Sequence, residues 1–232
     1  MNIVDIGILV LVLLSVIIGV KRGTVKGILK TLAFVIIGIL SYTFKGMLGN
    51  WLMGFMPFFN FAGIYQGVYA VNIMFYQAVS FVVIYVLLYC FLSIIVAVGG
   101  VFDKVYKKEW LVNKKIDKIL GALVGFIEGT MIAFVGVWVL SQLPNTTQYV
   151  MQSHFGLNFL ERTPMIRTVF APSTLASEEV YELVDQYKNS EDKTDFNISA
   201  LQVYIKYQVV TSEKVKELED AKKLGIENIT FN

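Results

Sequence analysis

Apolar positions along this chain come in four long runs, where a water-soluble fold would show short amphipathic stripes. Ile3 to Val20 is interrupted only by Asp5, and Ile28 to Phe44 softens at Gly38. Val79 to Val98 carries no charge, and Ile119 to Leu140 carries only Glu128. Each run approaches the ~20 residues needed to cross a ~30 Å hydrocarbon layer. The pattern predicts an all-α integral membrane protein with transmembrane helices over 3–20, 28–44, 79–98 and 119–140. Between the second and third, residues 46–72 mix Trp51, Phe55, Phe58, Phe59 and Phe61 with Pro57, Asn60, Gln66 and glycines. Aromatic and polar residues together belong at a membrane surface, so 46–72 is expected to be an interfacial or shallow re-entrant loop.

Charge bears on the helix count. A further span over 51–71 would give five helices and place the two basic loops on opposite sides. Those loops are Lys21 to Lys30, with four basic residues, and Asp103 to Lys118, with six lysines. Four helices keep both on the cytoplasmic side. The N-terminus and the tail after Leu143 then lie outside, giving a transmembrane domain over 1–143 and an extracytoplasmic tail over 144–232. Residues 1–140 hold 11 basic against 5 acidic side chains and residues 141–232 hold 9 against 13, as two environments would require.

In the tail, Val180, Leu183, Val184 and Tyr187 follow helical spacing, with Ser177 as candidate N-cap and Glu178 and Glu179 in the first turn. Leu201, Tyr204, Ile205 and Val209 predict a second short amphipathic helix after Ser199. Ser212 to Leu224 predicts a third, closed by Lys222, Lys223 and Gly225.

Small residues recur every fourth place in two stretches. Gly121, Gly125 and Gly129, followed by Ala133, form one stripe on the fourth helix, where a second backbone can approach closely. Gly19, Gly23 and Gly27 repeat the spacing through the first basic turn, either continuing a packing face or permitting a tight bend. Glu128 breaks the apolar pattern of the fourth span. An ionised carboxylate deep in the membrane costs at least about 2.5–3.5 kcal/mol unless neutralised, paired or wetted. It is either an acid that handles protons or ions, or a protonated carboxyl hydrogen-bonded to another helix. Asp5, at the head of the first helix, offsets its macrodipole or belongs to a polar pathway. Asp117 or Asn113 is placed to cap the fourth helix.

Composition agrees with the pattern: 56% of the 232 residues are hydrophobic, 16% are charged, and the mean hydropathy is +0.62. Cys90 and His154 are the only residues of their kinds, which leaves no intramolecular disulfide and no His/Cys metal cluster. The sequence has no His-Glu-x-x-His, Gly-x-Ser-x-Gly or Walker loop. The expectation is a protein that is not an enzyme and uses no cofactor, nucleic acid or evident small-molecule substrate.

Asp5, the Lys21-Arg22-Gly23 turn with Gly27 after it, and the Asp117-Lys-Ile-Leu-Gly-Ala-Leu-Val-Gly-Phe-Ile-Glu-Gly129 run resemble the colicin V production protein (CvpA) family over residues 1–143. That resemblance implies a four-helix protein of the bacterial plasma membrane linked to production or export of a peptide toxin. A similar module precedes an extracytoplasmic serine protease in some bacteria, whereas this tail offers only His154 for a triad. The expected function is a non-enzymatic accessory or scaffold bound to the lipid bilayer, forming a homo-oligomer or joining other envelope proteins. Its candidate polar residues are Asp5, Arg22, Asp117 and Glu128. The alternative is an oligomeric channel or ion- or proton-coupled transporter working through Glu128.

Overall fold

The computed structural model describes residues 2–99, 113–162, 166–187, 189–190 and 192–226. Most of the second basic loop, 103–112, lies outside the described residues. Four helices are long and apolar enough to span a membrane: α1 (Ile3–Arg22), α2 (Thr24–Phe55), α3 (Val71–Gly99) and α4 (Lys114–Gln142). Among the described residues five shorter helices follow them: α5 (Pro144–Met151), α6 (His154–Arg162), α7 (Ile166–Tyr187), α8 (Thr194–Lys206) and α9 (Ser212–Asp220). No strand occurs among the described residues.

The tightest seam joins α1 and α4, which run antiparallel. A Cβ added at Gly121 would lie 2.5 Å from the Gly19 carbonyl oxygen, and one at Gly129 2.7 Å from Cβ of Ser15. A Cβ at Gly125 would meet the Ser15 carbonyl oxygen just as closely. Lipid tails are as apolar as the side chains, so burial alone does not bring membrane helices together. Backbones this close gain dispersion contacts that larger residues would hold apart. The second ladder divides. Gly19 lies in the α1–α4 seam, while Gly27 faces Val124 on α4. Gly23 has φ +82 and forms the bend between α1 and α2, a backbone conformation that side chains other than glycine rarely adopt.

The bend is held by α4. Gly23 has no side chain with which to cap α2, and the Asp117 carboxylate supplies the cap, accepting from the Thr24 amide at 2.9 Å. Thr24 returns a bond from its hydroxyl to the Asp117 carbonyl at 3.1 Å. The side-chain cap of α4 itself comes from Asn113.

The helix expected to stop at Phe44 runs eleven residues further, to Phe55, and α3 begins at Val71 instead of Val79. The expected loop over 46–72 therefore shrinks to residues 56–70, with one 3-10 turn at Gly63–Tyr65. Lys45, Gly49 and Met53 are buried while Met47, Trp51 and Phe55 are exposed, each set at helical spacing. Both faces are largely apolar, so the stretch shows no polar stripe. Nor do the loop's side chains all lie at the surface. Tyr65 and Val68 enter a core with Met53, Val71 and Met74, completed by tail residues including Val180, Leu201, Tyr204, Val215 and Leu224.

This core makes the tail and the ends of α2 and α3 one helical head. Lys223 closes α2 by donating to the carbonyls of Met53, Gly54 and Met56 at 2.7, 2.6 and 2.9 Å. A cation there complements the negative end of the helix dipole. Burial pushes the phenol of Tyr65 up to about 12 and that of Tyr204 further still, so both hydroxyls are neutral members of the core.

Two tail helices start earlier than expected. Ser177 is not an N-cap: α7 already includes Ile166 and continues through Pro172, and the Ser177 hydroxyl donates to the Ser141 carbonyl at the end of α4. A partner on another element had taken the hydroxyl that reads locally as a cap. α8 begins at Thr194, five residues before Ser199, with Phe196 and Asn197 buried. α9 agrees more closely in position, although Thr211 caps it.

Candidate functional site

Buried charges and strong hydrogen-bonding groups gather at three levels of the bundle. At the basic end, Arg22 closes α1 and Glu128 lies midway along α4. Every Cα–Cβ bond leans toward its own helix N-terminus. In antiparallel helices that makes Arg22 lean into the bundle and Glu128 lean back toward the basic end. The two meet, the guanidinium donating to the Glu128 carboxylate at 2.5 Å. Glu128 is 4% exposed, and its charge is matched by the cation that membrane burial requires.

The pair forms one wall of a cavity of about 610 Å³ bounded by α1, α2, α3 and α4. Lys26 and Lys30, one helical turn apart on α2, line it with Arg22. Tyr85 and Tyr89 stand on the α3 side, while Leu29, Ala33, Leu92 and Ile132 supply apolar surface. The chamber thus brings three cations and one carboxylate together against aliphatic and aromatic walls.

Nearer the head lies a different arrangement. Lys45 is 7% exposed, donates to the Ser173 hydroxyl at 2.7 Å, and lies 4.3 Å from the centre of the Tyr42 ring. The Trp138 ring is 5.4 Å away, and the Tyr42 hydroxyl shares Ser173 at 3.0 Å. Electron-rich ring faces and a hydroxyl stabilise this cation where water does not. Around it Phe170 of α7 inserts between Phe81, Phe134 and Trp138, with edge-to-face ring contacts to each. The tail therefore packs into the end of the bundle.

Asp5 stands at the head end of α1, 2% exposed. Its carboxylate accepts from the Asn2 amide at 2.8 Å, closing a capping box, and also from the Ser153 hydroxyl at 2.5 Å and the Phe155 amide at 2.9 Å. One carboxylate thus satisfies the first turns of both α1 and α6. Of the four polar residues singled out in the sequence, the structure joins Arg22 to Glu128, sets Asp117 at the α2 cap, and puts Asp5 at the opposite end. Tyr85 and Tyr89 were not singled out, since tyrosine in an apolar run reads as packing. Lys45 was not singled out, because the second span was expected to end at Phe44; a lysine 21 residues into a continuous helix was the missed signal. Among the described residues no three His, Cys, Asp or Glu side chains gather as a metal would need.

The sequence profile of the colicin V production protein family matches residues 4–164. The chain belongs to the colicin V production protein family. The match reaches beyond Leu143 and takes in all of α5 and α6, so the helices anchored by Asp5 belong to the family module. An uncharacterized transmembrane protein of Bacillus subtilis, YshB, is 27% identical over 169 residues, covering 70% of this chain and 92% of the relative. No solved structure matches the chain.

Proposed function

We propose that this colicin V production family member is a non-enzymatic scaffold of the bacterial plasma membrane. Its N-terminus and helical head face outside, its basic end faces the cytoplasm, and its role is accessory to toxin production or export and to envelope processes. The observation carrying this reading is the insertion of Phe170 among Phe81, Phe134 and Trp138. It fastens the head rigidly to the bundle and fills the head end of the space that an ion path through one chain would use. A rigid head offers a partner a preformed surface.

A second reading, an oligomeric ion- or proton-coupled transporter, is favoured by the cavity that reaches the Glu128 carboxylate. Proton and small-ion flux in liposomes decides between them. The scaffold reading expects no flux above empty vesicles from wild type or Glu128→Gln at matched incorporation. Flux in wild type that Glu128→Gln abolishes would replace it with the transporter. The orientation is tested in a Cys90→Ser background with Glu213→Cys. A membrane-impermeant maleimide should label that cysteine on intact protoplasts, and labelling only after lysis would invert the topology.

A further inference from the structure

We infer that one buried water molecule is bound where the helical head meets the bundle, hydrogen-bonded to the Tyr204 hydroxyl. Two independent observations point to it. Tyr204 is fully buried, and its phenol oxygen has no hydrogen-bond partner among the described residues. A buried polar group left unpaired forfeits its hydration with nothing in return, and native cores hold few such groups. The second observation is a cavity of about 20 Å³ that Tyr204 lines. A site needs roughly 10–15 Å³ to admit a water, so this one has room for a single molecule and little else.

The lining also supplies the several polar partners that a buried water requires. Tyr65 comes from the turn before α3, Gln142 from the end of α4, Thr147 from α5, Ser177 from α7 and Tyr204 from α8. All of them are buried. Thr147 already donates to the carbonyls of Ser141 and Leu143, and Ser177 donates to that of Ser141. Their protons are committed, so each hydroxyl has only lone pairs left to offer. Burial keeps the Tyr204 phenol in its neutral form, with a proton to give. Water satisfies both sides, accepting from Tyr204 and donating to hydroxyl oxygens that can only accept. Among the described residues no charged side chain lines the cavity, so an ion would find no counter-charge there. The head is thus fastened by two unlike joints, the dry insertion of Phe170 and a hydrated contact that ties α8 to α5 and α7.

The test is a crystal structure or cryo-electron microscopy map of the full chain, sharp enough to show ordered water. A single solvent peak should lie in the cavity, about 2.5–3.0 Å from the Tyr204 phenol oxygen. Tyr204→Phe removes that anchor, and the peak should weaken or vanish. The same variant should unfold roughly 2–4 °C below wild type, because a hydrogen-bonded hydroxyl has been lost. An unpaired hydroxyl would give the opposite sign, since deleting an unsatisfied polar group relieves the core. A Tyr204→Phe chain as stable as wild type, or more so, would therefore overturn the site. So would a map with no solvent peak, or one in which the Tyr204 hydroxyl bonds directly to another side chain. If Tyr204→Phe does not fold, as judged by circular dichroism, the wild-type map still decides the outcome.

Discussion

The two ends of the bundle treat a basic side chain in opposite ways. At the basic end Arg22 has a full counter-charge in Glu128 and borders an open chamber. At the head end Lys45 is given a hydroxyl and two ring faces, and tail residues close over it. Pairing keeps a charge fixed while ligands come and go beside it. Sealing makes the charge part of the packing, where its removal disturbs shape more than electrostatics. The comparison sets an ion-paired residue beside an open chamber at the basic end against a sealed, tail-covered residue at the head end.

The sharpest test of that division removes the plug. Phe170→Ala takes away a fully buried ring that touches Phe81, Phe134, Trp138 and Tyr42, and should cost about 3–5 kcal/mol. Because the plug couples head to bundle, thermal unfolding followed by tryptophan fluorescence should shift sharply downward. A variant as stable as wild type would mean that the head does not depend on this insertion.

The next test compares the two cations directly. Glu128→Gln leaves the Arg22 guanidinium facing a neutral amide, and breaking a buried pair in this way costs up to about 3–5 kcal/mol, less here because the chamber gives Arg22 some access to water. Lys45→Met keeps the volume and removes an amine that has no carboxylate partner among the described residues, so its cost should be below about 1.5 kcal/mol, or the change should stabilise the chain. If Lys45→Met proves the more damaging of the two, the distinction between paired and sealed cations fails. A smaller effect of the same logic belongs to Asp117. Asp117→Ala removes the side chain that accepts from the Thr24 amide at the start of α2, a loss of roughly 0.5–2 kcal/mol. Asp117→Asn, which retains an acceptor, should recover much of it.

How much of this was readable from residues alone depends on what surrounds each helix. The four spans and the family were legible because long apolar runs have few other physical explanations and the Asp117-to-Gly129 run is a specific motif. The limits of α2 and α3 were not, because amphipathicity inverts where the outside solvent is lipid. On α2 the buried face carries Gly49 and Lys45, while Met47, Trp51 and Phe55 are exposed. A search for polar outer faces finds no helix in such a pattern. The Arg22–Glu128 pair was half legible: the cost of burying Glu128 demanded a partner, but its identity depends on the antiparallel approach of α1 to α4. The Lys45–Ser173 contact joins positions 128 residues apart, and no local spacing announces it.

The smallest effect lies on the surface of the head, where it separates head stability from bundle stability. Lys206 donates both to Oε1 of Glu179, at 3.1 Å, and to Oε2, at 2.8 Å, linking α8 to α7. The hydrogen bond from Lys206 holds the Glu179 carboxyl below its usual range, with a lesser contribution from Tyr207. A carboxyl whose folded value is depressed binds its proton more readily in the unfolded chain. Its contribution is therefore complete above the ordinary glutamate range near 4.5 and is lost as the pH falls through the lowered folded value. The pair is largely solvated, so water and salt weaken it, and added salt should weaken it further. Glu179→Gln should consequently lower the unfolding temperature only slightly at pH 7, and the gap to wild type should close as the pH is taken below 4. A gap that widens on acidification would mean that Glu179 is stabilised in its protonated form and that the α7–α8 contact rests on something other than this ion pair.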